Sequence, residues 1–268
     1  MSQERYSILL APNPSMMTGP GTNTLLLSGS EGAIVIDPGD PDQKHLERIV
    51  REGQVRGGIR HILITHGHPD HVGGAAELRE RIGVPISAFS RAGVPLADHE
   101  IPDGATFDLG DTTLRAIHTP GHRFDHLCFW LEREGVLFAG DVVAGTGTVV
   151  IIPPEGHMGV YLQTLKRLQQ LPIARIVPAH GPVIEDPQAK LSDYIAHRLE
   201  RERQIIDALN QFGHPATLIG LVRLVYTDTD PKLYAMAARS LEAHLIKLQE
   251  EGRAQVDAQQ HWSLLPSR

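Results

Sequence analysis

Apolar and polar positions follow two different periods along the first two-thirds of the chain. Short runs rich in Val, Ile and Leu predict strands, whereas apolar residues three and four positions apart predict helices. The Gly-Ser-Glu-Gly sequence at 29–32 predicts a hairpin turn. The order of elements indicates a mixed α/β fold with sheets covered by helices. We expect strands at 24–28, 33–36, 59–64, 84–89, 106–117, 127–131, 136–139 and 175–178, and helices at 41–52, 75–81 and 161–171.

From about residue 188 the apolar pattern becomes helical over most of its length. Three predicted helices are followed by a small hairpin, which is the outline of a winged helix. We therefore predict two domains, a larger one at residues 1–187 and a winged-helix-like one at residues 188–268. The predicted elements of the second domain are helices at 188–210, 218–226 and 232–251 and strands at 254–256 and 261–264.

Composition narrows the chemistry that the chain can perform. Its 268 residues include 15 histidines but one cysteine, Cys128. One cysteine forms neither an intramolecular disulfide nor a cysteine-rich zinc site, so imidazole and carboxylate would have to bind a transition metal. The apolar run before Pro12 is too short for a signal peptide, and no apolar stretch approaches the roughly 20 residues that span a bilayer. We expect a cytoplasmic protein that does not bind membranes.

The formal net charge of −7 argues against a broadly basic nucleic-acid surface. All of this charge falls on residues 1–194, because residues 195–268 carry equal numbers of basic and acidic side chains. Aromatic residues make up only 5% of the chain, and no basic run is interleaved with them. On composition, an acyl substrate fits slightly better than RNA.

The strongest chemical signal is the segment Thr-His-Gly-His-Pro-Asp-His at residues 65–71, directly after the predicted strand at 59–64. Its polar side chains are hard to explain as packing, because buried imidazoles and carboxylates need partners. Placing several of them together is favourable only where cations compensate. The segment therefore predicts a metal site with His66, His68, Asp70 and His71 as ligands.

Three more residues extend this set. His122, Asp141 and His180 each follow a predicted strand, where a rigid scaffold can present a ligand on a loop. Together the seven residues offer five histidines and two aspartates without a thiolate. Such a set suits two divalent ions bridged by a carboxylate and a water molecule.

The order and spacing of these motifs resemble those of the metallo-β-lactamase-fold hydrolases over roughly residues 5–187. The resemblance implies an αββα sandwich and two divalent metal ions, expected to be Zn²⁺, with Fe or Mn as alternatives. Asp37 matches an early aspartate of the family, which implies that it orients a ligand histidine. The implied ligands are His66, His68 and His122 for one ion and Asp70, His71 and His180 for the other, with Asp141 bridging both.

The expected reaction follows from the ions. A metal lowers the pKa of bound water from about 16 to about 7, so hydroxide is available at neutral pH. We expect a metal-bridging hydroxide to attack an ester, thioester or lactone-type acyl substrate. Asp70 is the expected catalytic residue, because it would orient the hydroxide and pass its proton to the leaving group.

Within the family, the chain most resembles the β-lactamase-like protein 2 group. The matching features are the segments at 19–24, 125–126 and 145–148 and the winged-helix-like end. That group includes an endoribonuclease for single-stranded RNA, and its relatives hydrolyse acyl-carrier thioesters. The resemblance therefore implies a small-molecule or acyl-carrier substrate or single-stranded RNA, without choosing between them. A nucleic-acid-binding or regulatory module that uses the fold as a scaffold is a third alternative, although no ligand is missing.

Two loops and one helix start are candidates for the substrate pocket. The alternative is that their residues pack on the core. The last helix carries too few basic residues for a clear DNA-binding surface, so we expect the second domain to pack on the first, shape the pocket edge or form a homodimer. The candidate substrate-binding residues are Met16, Met17, His126, His157 and Tyr161.

Overall fold

The computed structural model describes residues 5–227 and 229–266, and its backbone divides into two compact units. Among the described residues, the first contains 5–120, 124–149 and 171–188. The second contains 121–123, 150–170, 189–227 and 229–266. The domain boundary that we placed between residues 187 and 188 stays a prediction.

The first unit contains a six-stranded sheet. Its first three strands pair antiparallel and the following ones parallel. The predicted hairpin at 29–32 is confirmed, because Gly29 pairs with Gly32 across the turn. The edge strands β1 and β6 were not predicted; β6 contains only two residues, both polar and exposed. In spatial order the strands are β1 (Tyr6–Leu10), β2 (Asn23–Gly29), β3 (Gly32–Ile36), β4 (Ile59–Leu63), β5 (Ile86–Ala88) and β6 (His99–Glu100).

A five-stranded sheet completes this unit. The single strand predicted at 106–117 is wrong, because the chain reverses after Asp108. Gly110 adopts a φ of 89°, which glycine tolerates without strain, and the amide of Leu109 donates to the Thr112 carbonyl at 2.9 Å. In spatial order the strands are β11 (Arg175–Val177), β10 (Val136–Phe138), β9 (Leu127–Leu131), β8 (Thr113–His118) and β7 (Thr106–Asp108).

Strand β2 shows how the first unit forms its core. Leu25 and Leu27 pack in a cluster that contains side chains of both sheets, including Phe129. Leu26 points to the opposite face, because successive strand residues alternate. There it packs with apolar residues of α1 (Gln43–Val55) and α3 (Ala75–Ile82). The result is the predicted α/β sandwich with two sheets. A short helix, α2 (Pro69–Val72), overlaps the histidine-rich segment at residues 65–71.

The second unit contains the predicted winged helix. Its three helices and hairpin are confirmed, and a two-residue strand that we did not predict adds to the hairpin. Leu221, Leu241 and Trp262 belong to its buried apolar cluster. None of the described helices is both long and apolar enough to cross a membrane. The elements are α4 (Met158–Gln169), α5 (Pro187–Phe212), β12 (Ala216–Thr217), α6 (Leu218–Val225), a 3₁₀ turn (Pro231–Leu233), α7 (Tyr234–Glu250), β13 (Ala254–Val256) and β14 (His261–Leu264).

Phe129 belongs to the apolar core that side chains of both sheets form. Replacing the fully buried Phe129 by Ala should lower the free energy of unfolding by about 3–5 kcal/mol, because apolar contacts are lost and a cavity remains. Val55→Ala is the control, since Val55 is 76% exposed and its loss should change stability by less than about 0.5 kcal/mol. Urea unfolding of both variants measures the difference, and equal destabilisation would contradict the assigned core.

Candidate metal centre

Strand direction brings the candidate ligands of the first unit together. Because β3 and β4 are parallel, Asp37 after β3 and His66 after β4 lie at the same sheet edge. Strands β10 and β11 are also parallel, and Asp141 and His180 each follow three residues after the strand end. The sheet topology therefore gathers residues that are far apart in sequence.

The candidate ligands form two groups, and within each group the ligand atoms lie within 4.8 Å of one another. They correspond to the two ligand sets implied by the family resemblance. Asp141 also reaches the second group, because its carboxylate oxygens lie 3.6 Å from His71 Nε2 and 3.3 Å from His180 Nε2. This position fits a bridging carboxylate. The groups are His66, His68, His122 and Asp141, and Asp70, His71 and His180.

The carboxylate of Asp37 organises the ligand segment from behind. Asp37 is only 2% exposed and adopts a φ of 50°, a left-handed conformation that aspartate tolerates better than most residues. One oxygen accepts the Thr65 amide at 2.8 Å, and the other accepts the Thr65 hydroxyl at 2.6 Å and His71 Nδ1 at 2.7 Å. Asp37 therefore contacts a candidate ligand histidine, and its role in orienting a metal ligand stays a prediction.

His71 provides a test of whether the site fits a metal. Because Nδ1 donates to Asp37, Nε2 is directed towards the carboxylates of Asp70 and Asp141, each 3.6 Å away. Among the described residues, this buried Nε2 atom has no hydrogen-bond partner. A buried nitrogen without a partner is costly in protein alone, whereas a metal ligand needs a free lone pair. The donor set therefore fits divalent ions.

Two other candidate ligand histidines also form a hydrogen bond through Nδ1. In the second unit, His122 Nδ1 donates to the Val150 carbonyl at 2.9 Å. In the first unit, His66 Nδ1 lies 3.0 Å from the Thr65 hydroxyl, whose proton is donated to Asp37. In both residues the bond at Nδ1 favours a tautomer with a lone pair on Nε2. In His66 this Nε2 lies 2.8 Å from Nδ1 of His68, a second candidate ligand.

Neighbouring charges change the proton affinity of the second group. Burial lowers the pKa of His71, but the carboxylates of Asp37 and Asp141 raise it by more, so it stands well above the usual value. Burial likewise lowers the pKa of His180, while its hydrogen bond to Asp70 raises it, and the net direction is upward. Burial raises the pKa of Asp70, but His180 and His71 lower it by more. The net pKa lies below the usual value, so Asp70 is a carboxylate at neutral pH.

Asp125 has a positioning contact that the motif search did not assign. Its Oδ2 accepts the Gly67 amide at 2.9 Å, which holds the turn between His66 and His68. The turn has no room for a side chain, because a Cβ on Gly67 would lie 2.2 Å from the carbonyl oxygen of Gly93. The segment at 125–126 was noted as a family feature, but only the folded backbone shows which amide Asp125 binds.

The candidate substrate residues of the first unit occupy different surroundings. Met16 and Met17 are 77% and 50% exposed, so both are accessible to a ligand. His126, a third candidate substrate-binding residue, is fully buried, so its side chain is not exposed to a ligand. Its Nε2 accepts the Asp141 amide at 3.0 Å and its Nδ1 contacts the Thr119 hydroxyl at 2.8 Å, so the ring supports the loop of a candidate ligand.

The two remaining substrate candidates lie in the second unit. His157 caps α4, because its Nδ1 accepts the Val160 amide at 3.2 Å, and its Nε2 lies 2.8 Å from Glu250. Tyr161 is fully buried within α4, and the Arg198 guanidinium lies over its ring. These contacts show structural roles for both side chains, and their contact with a substrate stays a prediction.

Comparisons with known proteins agree with this geometry. The family model of the metallo-beta-lactamase superfamily matches residues 17–180, and that of the beta-lactamase associated winged helix domain matches residues 217–262. A beta-lactamase-like protein 2 homolog from Drosophila melanogaster is 35% identical, covering 92% of this chain and 89% of its own. An atrochrysone carboxyl ACP thioesterase from Emericella nidulans is 33% identical, covering 88% of this chain and 76% of its own.

A solved structure shares the fold over almost the whole chain. A beta-lactamase domain protein from Burkholderia ambifaria superposes with a TM-score of 0.84 at 19% sequence identity. The match covers 99% of this chain and 93% of that one. At this identity, the likeness concerns the fold alone.

We predict that Asp37→Asn weakens metal binding by about 10–100-fold, because the amide cannot accept all the bonds that the carboxylate accepts. Chelator competition measures the change. Asp40→Asn is the matched control, since the Asp40 side chain accepts the Asp42 amide in the same loop and should leave metal affinity unchanged. Equal affinity in both variants would contradict the role of Asp37.

We also predict that the affinity for metal decreases as the pH is lowered. His71 and His180 have raised pKa values, so both bind protons more tightly than ordinary imidazoles, and those protons must leave before a metal binds. Lowering the pH from about 9 to about 6 should therefore weaken binding, with proton release on metal addition. Calorimetry in buffers of different ionisation enthalpy measures the protons, and pH-independent affinity would rule out this competition.

Proposed function

Since the chain belongs to the metallo-β-lactamase superfamily, we propose that it uses two divalent ions to hydrolyse an ester, thioester or lactone-type acyl substrate. The observation that carries the proposal is the pair of histidine and aspartate groups, each with its ligand atoms within 4.8 Å. A scaffold that had lost catalysis would not need a complete ligand set. The intact set therefore favours the hydrolase over a purely nucleic-acid-binding or regulatory role.

The proposed ligand assignment gives each group one ion. His66, His68 and His122 would hold the first and Asp70, His71 and His180 the second, with Asp141 shared. When bound, divalent ions lower the pKa of a coordinated water molecule and polarise a substrate carbonyl. Nitrogen and oxygen donors without thiolate suit Zn²⁺, which we propose as the native metal, and Fe and Mn accept the same donors.

Asp70 is the proposed catalytic residue. Its pKa is lowered, so it is ionised at neutral pH and can accept a proton from the attacking water. Its Oδ2 lies 3.2 Å from His180 Nε2, and its side chain is 27% exposed. It is therefore both oriented and accessible, and it can deliver the proton to the leaving group.

Two observations favour an acyl substrate. A relative 33% identical to this chain is named as a carboxyl ACP thioesterase, which supports a small-molecule or acyl-carrier thioester here. The net charge of −7 supports no broad surface for RNA. Single-stranded RNA is thus an outcome that the test must distinguish. A homodimer and a cytoplasmic location stay predictions.

The test is an activity panel on metal-quantified protein. An acyl thioester, a lactone, a chromogenic β-lactam and single-stranded RNA would be compared at equal enzyme concentration. We expect turnover of the thioester or lactone, and we expect His68→Ala to reduce kcat/KM by at least about 100-fold, since even indirect partners of metal ligands typically cost about 10–100-fold. Asp70→Asn should lower kcat by about 10²–10⁴-fold.

His99→Ala is the matched control, because His99 lies on the edge strand β6 and is exposed. Its activity should equal that of the wild type. Cleavage of RNA alone would replace the acyl assignment with a nuclease. If protein that holds two ions hydrolyses none of these substrates, the result would favour the nucleic-acid-binding or regulatory alternative.

A further inference from the structure

Three hydrogen bonds join the tripeptide 121–123, which contains His122, to residues 150–157 of the same unit. The His122 Nδ1 bond to the Val150 carbonyl is one link. Arg123 binds Glu155 at 2.7 Å, and the amide of His157 donates to the Gly121 carbonyl at 2.8 Å. Residues 150–157 therefore contact His122 and both of its neighbours in the chain.

Gly121 brings this tripeptide directly against helix α4. A Cβ at this position would lie 2.3 Å from Tyr161 Cα, and the φ of 134° is one that side-chain-bearing residues rarely adopt. The close approach leaves the backbone beside His122 little freedom to shift without moving α4. The orientation of the His122 ring thus depends on residues 150–161.

Helix α7 of the winged helix in turn holds this segment. The Arg239 guanidinium donates to the Pro153 carbonyl, and it also binds Glu242 at 2.6 Å on its own helix. Glu250, the last residue of α7, accepts from His157 Nε2 at 2.8 Å. Because His157 Nδ1 accepts the Val160 amide, both nitrogens of this ring are engaged and its tautomer is set.

We propose that Arg239 and Glu250 are positioning residues for the metal ligand His122, acting through residues 150–157. The winged helix would then support one candidate ligand, His122. The inference rests on the proposed dinuclear site and deepens it, because it assigns the C-terminal helix a role there. It also gives His157 a role other than substrate contact.

Loss of this support should affect the binding of one metal ion more than that of the other. His122 belongs to the ligand group of His66 and His68, whereas the other group consists of Asp70, His71 and His180. Loosening the support of His122 should weaken the hold on one ion and spare the other. A general loss of folding would instead weaken both.

The experiment uses the whole 268-residue chain loaded with Zn²⁺ and follows transfer of each ion to a chromogenic chelator. The variants are Arg239→Ala, Glu250→Ala and the double variant. Each support acts on His122 through an intervening segment, so the double variant should release one ion about 3–10-fold faster, below the cost of changing a direct partner. Release of the second ion should be unchanged, and Arg239→Lys, which keeps a donor, should restore most of the lost retention.

The matched control is Arg203→Ala with Glu200→Ala, the same pair of changes on α5, where the two side chains bind each other at 2.6 Å. It should leave both release phases unchanged. Wild-type release in the double variant would overturn the proposal. So would equal acceleration of both ions with a lowered Tm, since that result reflects stability alone; if the double variant does not fold, the single variants decide by the same criterion. A wild type that binds fewer than two ions would contradict the proposed function itself.

Discussion

The organisation of the centre depends on one buried carboxylate. Asp37 accepts hydrogen bonds from the backbone and hydroxyl of Thr65 and from the imidazole of His71. A carboxylate with 2% exposure is tolerated only when such partners compensate its lost hydration. The same bonds set the start of the ligand segment and the direction of a ligand nitrogen. The burial of Asp37 and the arrangement of the candidate ligands beside it therefore depend on the same hydrogen bonds.

The rest of the first unit brings the remaining ligands to this point. Parallel pairing places the carboxyl ends of β3 and β4 side by side in the six-stranded sheet. It does the same for β10 and β11 in the five-stranded sheet. These strands are short and their last residues are buried, so the candidate ligands lie on loops that leave a rigid support. Positioning groups such as Asp125 and His126 then bind backbone amides of these loops. Precision at the centre comes from hydrogen bonds to the backbone as much as from the ligands.

The second unit adds a different kind of support. A winged helix is often associated with DNA binding, yet α7 here uses two charged side chains to bind the segment beside His122. The arrangement resembles the indirect partners that orient metal ligands in general. We propose from these contacts that the module supports a candidate metal ligand, since a fold alone does not determine a function.

Local sequence determined much of this protein. The periodicity gave most strands and helices, the motif spacing gave the candidate ligands, and the predicted family membership is confirmed by the matching family models. Tertiary structure decided what spacing does not contain: the reversal at Gly110, the burial of His126 and the bond from Arg239 to the 150–157 segment. The physical reason is that periodicity and ligand chemistry are properties of short segments. Burial and hydrogen-bond partners arise only when distant segments meet.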